Sequence, residues 1–135
     1  MLAAARRTYT TAIRTALVDA GFDDIPRSGG SLLGRIARSG HELRDVAGEL
    51  AVSKQAASQL VDTLVTRGYV ERRPDPDDRR RVTVGLTDRG RSAAAEIRQA
   101  VEGVDAELAT KVSHQDLARA RTVLGAIVEM GHGPT

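Results

Sequence analysis

Apolar residues recur along most of the chain at steps of three and four, which places them on one side of successive helices. In residues 1–20 that face is Leu2, Ala5, Tyr9, Ile13, Ala16, Leu17 and Ala20, and Gly21 supplies the stop. Residues 22–31 hold Pro26 and the pair Gly29-Gly30 and read as a loop. Leu32, Leu33 and Ile36 mark a short second helix that Gly40 ends. Leu43, Val46, Ala47 and Leu50 form the stripe of a third. No capping residue stands just ahead of Arg44, and Asp45 partly compensates by facing the positive end of the helix dipole.

Ala51-Val52 is a turn, and Ser53 is a good N-cap because its hydroxyl can accept from a free amide of the next turn. The helix it opens buries Ala57, Leu60, Val61 and Leu64. Gln55, Gln59, Asp62 and Thr66 point the other way, with Ala56 and Ser58 on the flanks, and Gly68 closes the helix. The period then changes to two. Residues 69–73 and 81–86 read as strands, with Val82, Val84 and Leu86 alternating with Arg81, Thr83 and Gly85, one face buried and one wet. Between them, Pro74-Asp75-Pro76-Asp77-Asp78 is turn chemistry, since proline stiffens the chain and acids bond their own backbone.

Thr87 caps a long helix whose seam of Ala94, Ile97, Val101, Val104 and Leu108 runs close to heptad spacing. Ser113 with Asp116 resembles a capping box for the last helix, which shows a broad apolar face of Leu117, Ala120, Leu124, Ile127 and Val128. The end from Gly131 frays. The order predicts a mostly α fold with a small β-wing, a winged helix–turn–helix flanked by N- and C-terminal dimerisation helices. The lobe spans residues 29–87, the helical dimerisation region 1–21 and 88–131, and the tail 132–135.

Composition supports pairing of two chains. The 135 residues fit one domain, and 41% hydrophobic with 28% charged content is globular. Aromatics are 2%, with Tyr9, Phe22 and Tyr69 the whole set, so the core is aliphatic and thin and gains from burial in a homodimer. The absence of cysteine excludes disulfides and thiol redox sensing and makes a reducing, cytoplasmic setting the default. No apolar run approaches the roughly 20 residues that span a bilayer, so no membrane partner is expected. Residues 1–20 carry arginines and no acid before Asp19, as transit peptides do, but contain no serine.

Charge matters by placement rather than by sum. The net charge is only +2, and all 20 basic residues except Lys54 and Lys111 are arginine, the better residue for bidentate phosphate and base-edge contacts. The plainer alternative, a GC-rich coding sequence, would explain the number but not the clustering. The helix opened by Ser53 and Lys54 shows Gln55, Ala56, Ser58 and Gln59 near its N-terminus, a polar uncharged face suited to the major groove. Glutamine holds adenine by two bonds, and a small residue touches a thymine methyl. Arg72, Arg73, Asp78, Arg79, Arg80 and Arg81 crowd the β-ribbon and its tip, where arginine can enter a minor groove or meet phosphate. Each set has a plainer alternative: a solvated helix face, and a hairpin tip whose charges keep it soluble. Residues 71–81 hold five arginines against four acids, so charge alone decides nothing.

Catalytic patterns are missing. His41, His114 and His132 sit in unrelated segments without metal-ligand spacing, and Gly29, Gly30 and Gly34 are followed by no Gly-Lys-Ser/Thr. No enzyme activity, cofactor or metal is expected.

One further signal is an ordered series of short motifs. Val46-Ala47 with Leu50 comes first, then Val52-Ser53-Lys54, Leu60-Val61-Asp62 with Leu64, and Arg67-Gly68-Tyr69-Val70. The run from Arg72-Arg73-Pro74 through Asp78-Arg79-Arg80 follows, and then Leu86-Thr87 with Gly90. This series resembles the MarR family of winged helix–turn–helix transcription regulators. The resemblance implies a homodimer whose recognition helices enter successive major grooves of double-stranded DNA at an inverted-repeat operator. It implies that Asp78 and Arg80 form the wing's Asp-x-Arg, with Arg80 in the minor groove. It also implies repression of transcription and a small-molecule effector site between the dimerisation helices and the lobe. Ala51 stands where the family often has glycine, which strains the turn mildly, and Ala56 replaces a frequent hydroxyl residue. A winged-helix protein-interaction module without an operator is the alternative, since it shares the fold.

Overall fold

The computed structural model describes residues 1–40 and 42–131. The elements in order are α1 (Leu2–Asp19), α2 (Gly29–Ser39), α3 (Val46–Leu50), α4 (Lys54–Thr66), β1 (Val70–Pro74), β2 (Val82–Leu86), α5 (Asp88–Ala109) and α6 (His114–Gly131). This is the mostly helical fold with a two-stranded wing that the patterning predicts. Gly131 stays helical rather than frayed, while His41 and the tail at 132–135 lie outside the described residues. The chain divides into two compact units, Met1–Val101 and the segment from Glu102 onward.

The first unit holds one aliphatic core. Leu17 of α1, Leu32, Leu33 and Ile36 of α2, Val61 and Leu64 of α4, and Ala93 and Ile97 of α5 are buried around Tyr69 and Val70. Two helices end alike. Past α1, Gly21 takes φ +85°, its amide donates to Val18 at 3.0 Å, and the Phe22 amide donates to Leu17 at 2.7 Å. Past α4, Gly68 takes φ +79°, with the matching bonds to Val65 at 3.0 Å and from Tyr69 to Leu64 at 2.9 Å. Both are paired C-terminal bonds around a left-handed residue, which a side chain other than glycine resists. They turn the chain so that Phe22 and Tyr69 face each other.

Three local expectations are corrected. Gly29 and Gly30 are not loop: they open α2. A Cβ on residue 29 would lie 2.8 Å from Ile25 and 3.2 Å from Leu64, so close packing of the first turn favours glycine there. The third helix starts at Val46, not before Arg44, and it is well capped. Asp45 is itself the N-cap, accepting from the Gly48 amide at 2.9 Å. Leu43 is thereby released from the helix and bridges Val84, with amide–carbonyl bonds of 3.0 and 2.9 Å.

That bridge explains the third correction. β1 and β2 pair antiparallel from Val70–Leu86 to Pro74–Val82. The expected alternation along β2 fails: Thr83 is 2% and Val84 6% exposed, Gly85 is buried, and Val82 is 53% exposed. The segment carrying Leu43 covers β2, and Glu42 lies over Gly85 and accepts the Thr83 hydroxyl. The face expected to be wet is roofed by a carboxylate rather than by water.

α5 is capped by Thr87, whose hydroxyl accepts from the Gly90 amide at 3.0 Å and donates to the Gly68 carbonyl at 2.5 Å. In the second unit, Ser113 accepts from the Asp116 amide at 3.1 Å and donates to its carboxylate at 2.9 Å. α6 has no buried residue.

Candidate nucleic-acid interface

α4 rests on Ala57, Val61 and Leu64, with Leu60 half-buried, and this fixes which residues face outward. Ser53 is extended at φ −65° and ψ 157°, and its side chain accepts from the Ala56 amide at 3.1 Å. Such a cap contributes about 1 kcal/mol and sets where the first turn begins. Lys54, Gln55, Ala56, Ser58 and Gln59 are all exposed. Among the described residues the side chains of Gln55, Ser58 and Gln59 make no hydrogen bond or ion pair. The turn ahead of α4 places Ala51 at φ 53° and ψ 44°, the only non-glycine residue at positive φ among those described.

The wing arginines separate into two groups. Arg72 pairs with Asp62 of α4, which braces the ribbon against that helix. Arg73 pairs with Glu42 at 2.9 Å and with Glu71. Its guanidinium is held above its ordinary pKa, first by Glu71 and then by Glu42. Glu42 in turn lies below its ordinary value, chiefly because it accepts from Thr83 and then from Arg73. Arg81 keeps a longer ion pair to Asp78 at 3.7 Å. Arg79 and Arg80 make no ion pair among the described residues, and both are exposed. The Asp78 carboxylate accepts from the backbone amide of Arg80 at 3.0 Å, so the acid orders the tip's backbone rather than the Arg80 side chain. Arg72 and Arg73 therefore have internal carboxylate partners that sequence reasoning did not supply.

A second cluster fastens the loop after α1. Tyr69 and Phe22 meet edge to face at 6.0 Å, and Arg89 stacks on both rings, 4.6 and 5.7 Å from their centres. Phe22 and Tyr69, distant in sequence, are thereby brought together. Beside this cluster, α1, the loop after it and the start of α2 enclose a cleft of about 150 Å³. Ile13, Leu17 and Ile25 give it an apolar floor, and Arg14, Arg27 and Asp23 stand at its rim. It is smaller than the roughly 300 Å³ at which drug-sized pockets begin, so it suits a small compound.

The sequence model of the MarR family matches residues 23–81, the stretch from the loop after α1 to the wing tip. Solved structures extend the likeness over the flanking helices. A cysteine-to-serine mutant of E. coli MarR complexed with operator DNA is 25% identical, with TM-score 0.72 over 93% of this chain and 89% of that one. The apo form of wild-type E. coli MarR is also 25% identical, with TM-score 0.67 over 93% of both chains. Residues 23–81 thus match the MarR family, and the flanking helices share the fold of its solved members. Its class is DNA-binding transcription regulation through a winged helix. The S. aureus MepR–DNA complex has the same fold at 19% identity, with TM-score 0.74 over 96% of this chain and 94% of that one. No curated protein sequence matches the chain. No group of three or more metal-binding side chains gathers among the described residues. Among the described residues no helix is long and apolar enough to cross a membrane.

Proposed function

We propose that two copies of this chain form a homodimer that binds an inverted-repeat operator through α4 and the wing and represses transcription. Gln55, Ser58 and Gln59 read base edges, each good pair contributing ~1–3 kcal/mol of discrimination, and Arg80 enters the minor groove while Arg79 meets phosphate. The observation that carries this reading is the partition of the wing arginines. Arg72 and Arg73 are committed to internal carboxylates, whereas Arg79 and Arg80 at the tip keep their charge unpaired, beyond a recognition helix braced to the same ribbon.

Dimerisation is supported by α6, where Val123, Leu124, Ile127 and Val128 are 45–59% exposed, a face that water does not favour. In such a dimer the two recognition helices address half-sites about one helical turn apart. We further propose that the cleft beside Arg14 and Arg27 takes a small effector with an apolar body and an anionic group, which releases the operator. NadR, similar in fold at 21% identity, was solved in complex with 4-hydroxyphenylacetate.

The decisive experiment selects duplexes from a random-sequence pool with the unaltered chain and measures binding of the recovered duplex at two salt concentrations. Arg80→Ala is expected to weaken binding at least about tenfold, in line with the loss of a minor-groove arginine, with no change in dimer mass by sedimentation. Unchanged binding removes the wing from the mechanism. A monomer at micromolar concentration overturns the dimer.

A further inference from the structure

Arg44 stands in the connection between α2 and α3, thirty-one residues from Asp75, and grips the wing from outside it. Its Nε lies 2.9 Å from one carboxylate oxygen of Asp75, and its Nη2 lies 3.1 Å from the other, a two-pronged contact. The same Nη2 reaches Asp77 at 2.5 Å. Asp75 is 1% exposed, so its charge is neutralised from within the protein. A buried carboxylate requires such a partner.

The grip continues along the backbone to the tip. The Asp75 carboxylate also accepts from the Asp77 amide at 2.9 Å, and the Asp75 amide donates to the Arg81 carbonyl at 3.0 Å, closing the loop at its base. Within that closed loop, Asp78 accepts from the Arg80 amide at 3.0 Å, and the Arg81 amide donates to the Asp78 carbonyl at 2.9 Å. Each end of the segment that presents Arg80 is therefore tied to a point that Arg44 holds. Among the described residues the charge of Arg44 meets two acids, Asp75 and Asp77, so it is poorly suited to meeting phosphate itself.

We infer that Arg44 is a positioning residue for DNA binding: its clamp on Asp75 and Asp77 fixes the direction in which the wing presents Arg80. This rests on the reading of Arg80 as a DNA contact, and the test separates the two. Arg44→Lys keeps the charge but cannot make the two-pronged contact. Binding of a duplex recovered from a random pool is measured for Arg44→Lys, Arg80→Ala and the double variant. The expected result is a loss of roughly fivefold from Arg44→Lys when Arg80 is present and less than about twofold when it is alanine, the signature of one residue acting through the other. Equal losses on both backgrounds, or none on either, overturn the inference, whereas a silent Arg80→Ala overturns the DNA reading instead.

Tryptic cleavage after Arg79 or Arg80 gives a readout that needs no DNA. It is expected to quicken in Arg44→Lys at unchanged melting temperature, and an unchanged cleavage rate also overturns the inference. Should Arg44→Lys fail to fold, Asp77→Asn replaces it in both measurements, because Asp77 is 76% exposed and its loss leaves the buried pair intact.

Discussion

The phenol of Tyr69 donates to the carboxylate of Asp24, and Arg89 donates to the same phenol oxygen at 2.9 Å. One fully buried ring thereby ties the loop after α1 to the start of α5, and Arg89 closes the set through its own ion pair to Asp24 at 3.3 Å. Burial, and then the bond to Asp24, raise the Tyr69 pKa, so the proton stays on the phenol. Asp24 is lowered, and the Tyr69 hydroxyl is the largest reason. Tyr69→Phe is expected to cost about 1 kcal/mol in urea unfolding at neutral pH, the usual net worth of such a bond. A depressed carboxylate pKa contributes stability that is complete above its ordinary value and lost as pH falls through the folded one. The gap between Tyr69→Phe and the parent should therefore narrow below about pH 4. A gap that does not change with pH would show that Asp24 is not involved.

Glu42 supplies a second acid-sensitive point, under the same sign. Its folded pKa lies below the ordinary 4.5, because the Thr83 hydroxyl and then Arg73 favour the carboxylate. Glu42→Gln is expected to be less stable than the parent at pH 7 and to approach it as pH falls below 4.5. Thermal melts across that range check it, and parallel curves would contradict the assignment.

Gly90 has a steric role. A Cβ on that residue would overlap the carbonyl oxygen of Tyr69, which receives the Thr87 amide at 3.1 Å. Neither backbone can retreat without loosening the cap of α5. Gly90→Ala should cost about 3 kcal/mol or more, at the upper end for overpacked sites. A loss below about 1 kcal/mol would mean that the junction yields more readily than its contacts imply.

Ala51 is expected to behave in the opposite way. At φ 53° and ψ 44° it occupies the left-handed region, where a Cβ meets the following carbonyl. Ala51→Gly should raise stability by roughly 0.5–1 kcal/mol, the relieved strain being offset in part by the freer unfolded chain. A decrease would show that the alanine methyl makes a contact worth more than the strain.

Much of this fold was legible from local chemistry. Gly21, Gly68, Ser53 and Thr87 act as stops and caps where their types predict, because such ends depend on a few neighbouring residues. The polar face of α4 followed from its period and is exposed as expected. What escaped was non-local. Nothing near Leu43 announces its bridge to Val84, and nothing near Arg44 announces Asp75. The same blindness hid Glu42, which roofs Thr83 and Gly85 and occupies Arg73. Alternation along β2 failed for that reason: a period of two reports two faces, but not which of them another segment covers. Asp45 reads as a helix residue when the apolar stripe begins at Leu43, but Leu43 bridges the ribbon instead.

The bridge between Leu43 and Val84 also bears on solubility. A bare two-stranded ribbon offers two open rims to any extended chain, and such rims seed fibrils. Here one rim of β2 is occupied at its midpoint by Leu43, while the free side of β1 carries Arg72, Arg73 and a terminal proline, none of which welcomes a stacking neighbour. The finger offered for recognition is thereby kept from recruiting copies of itself.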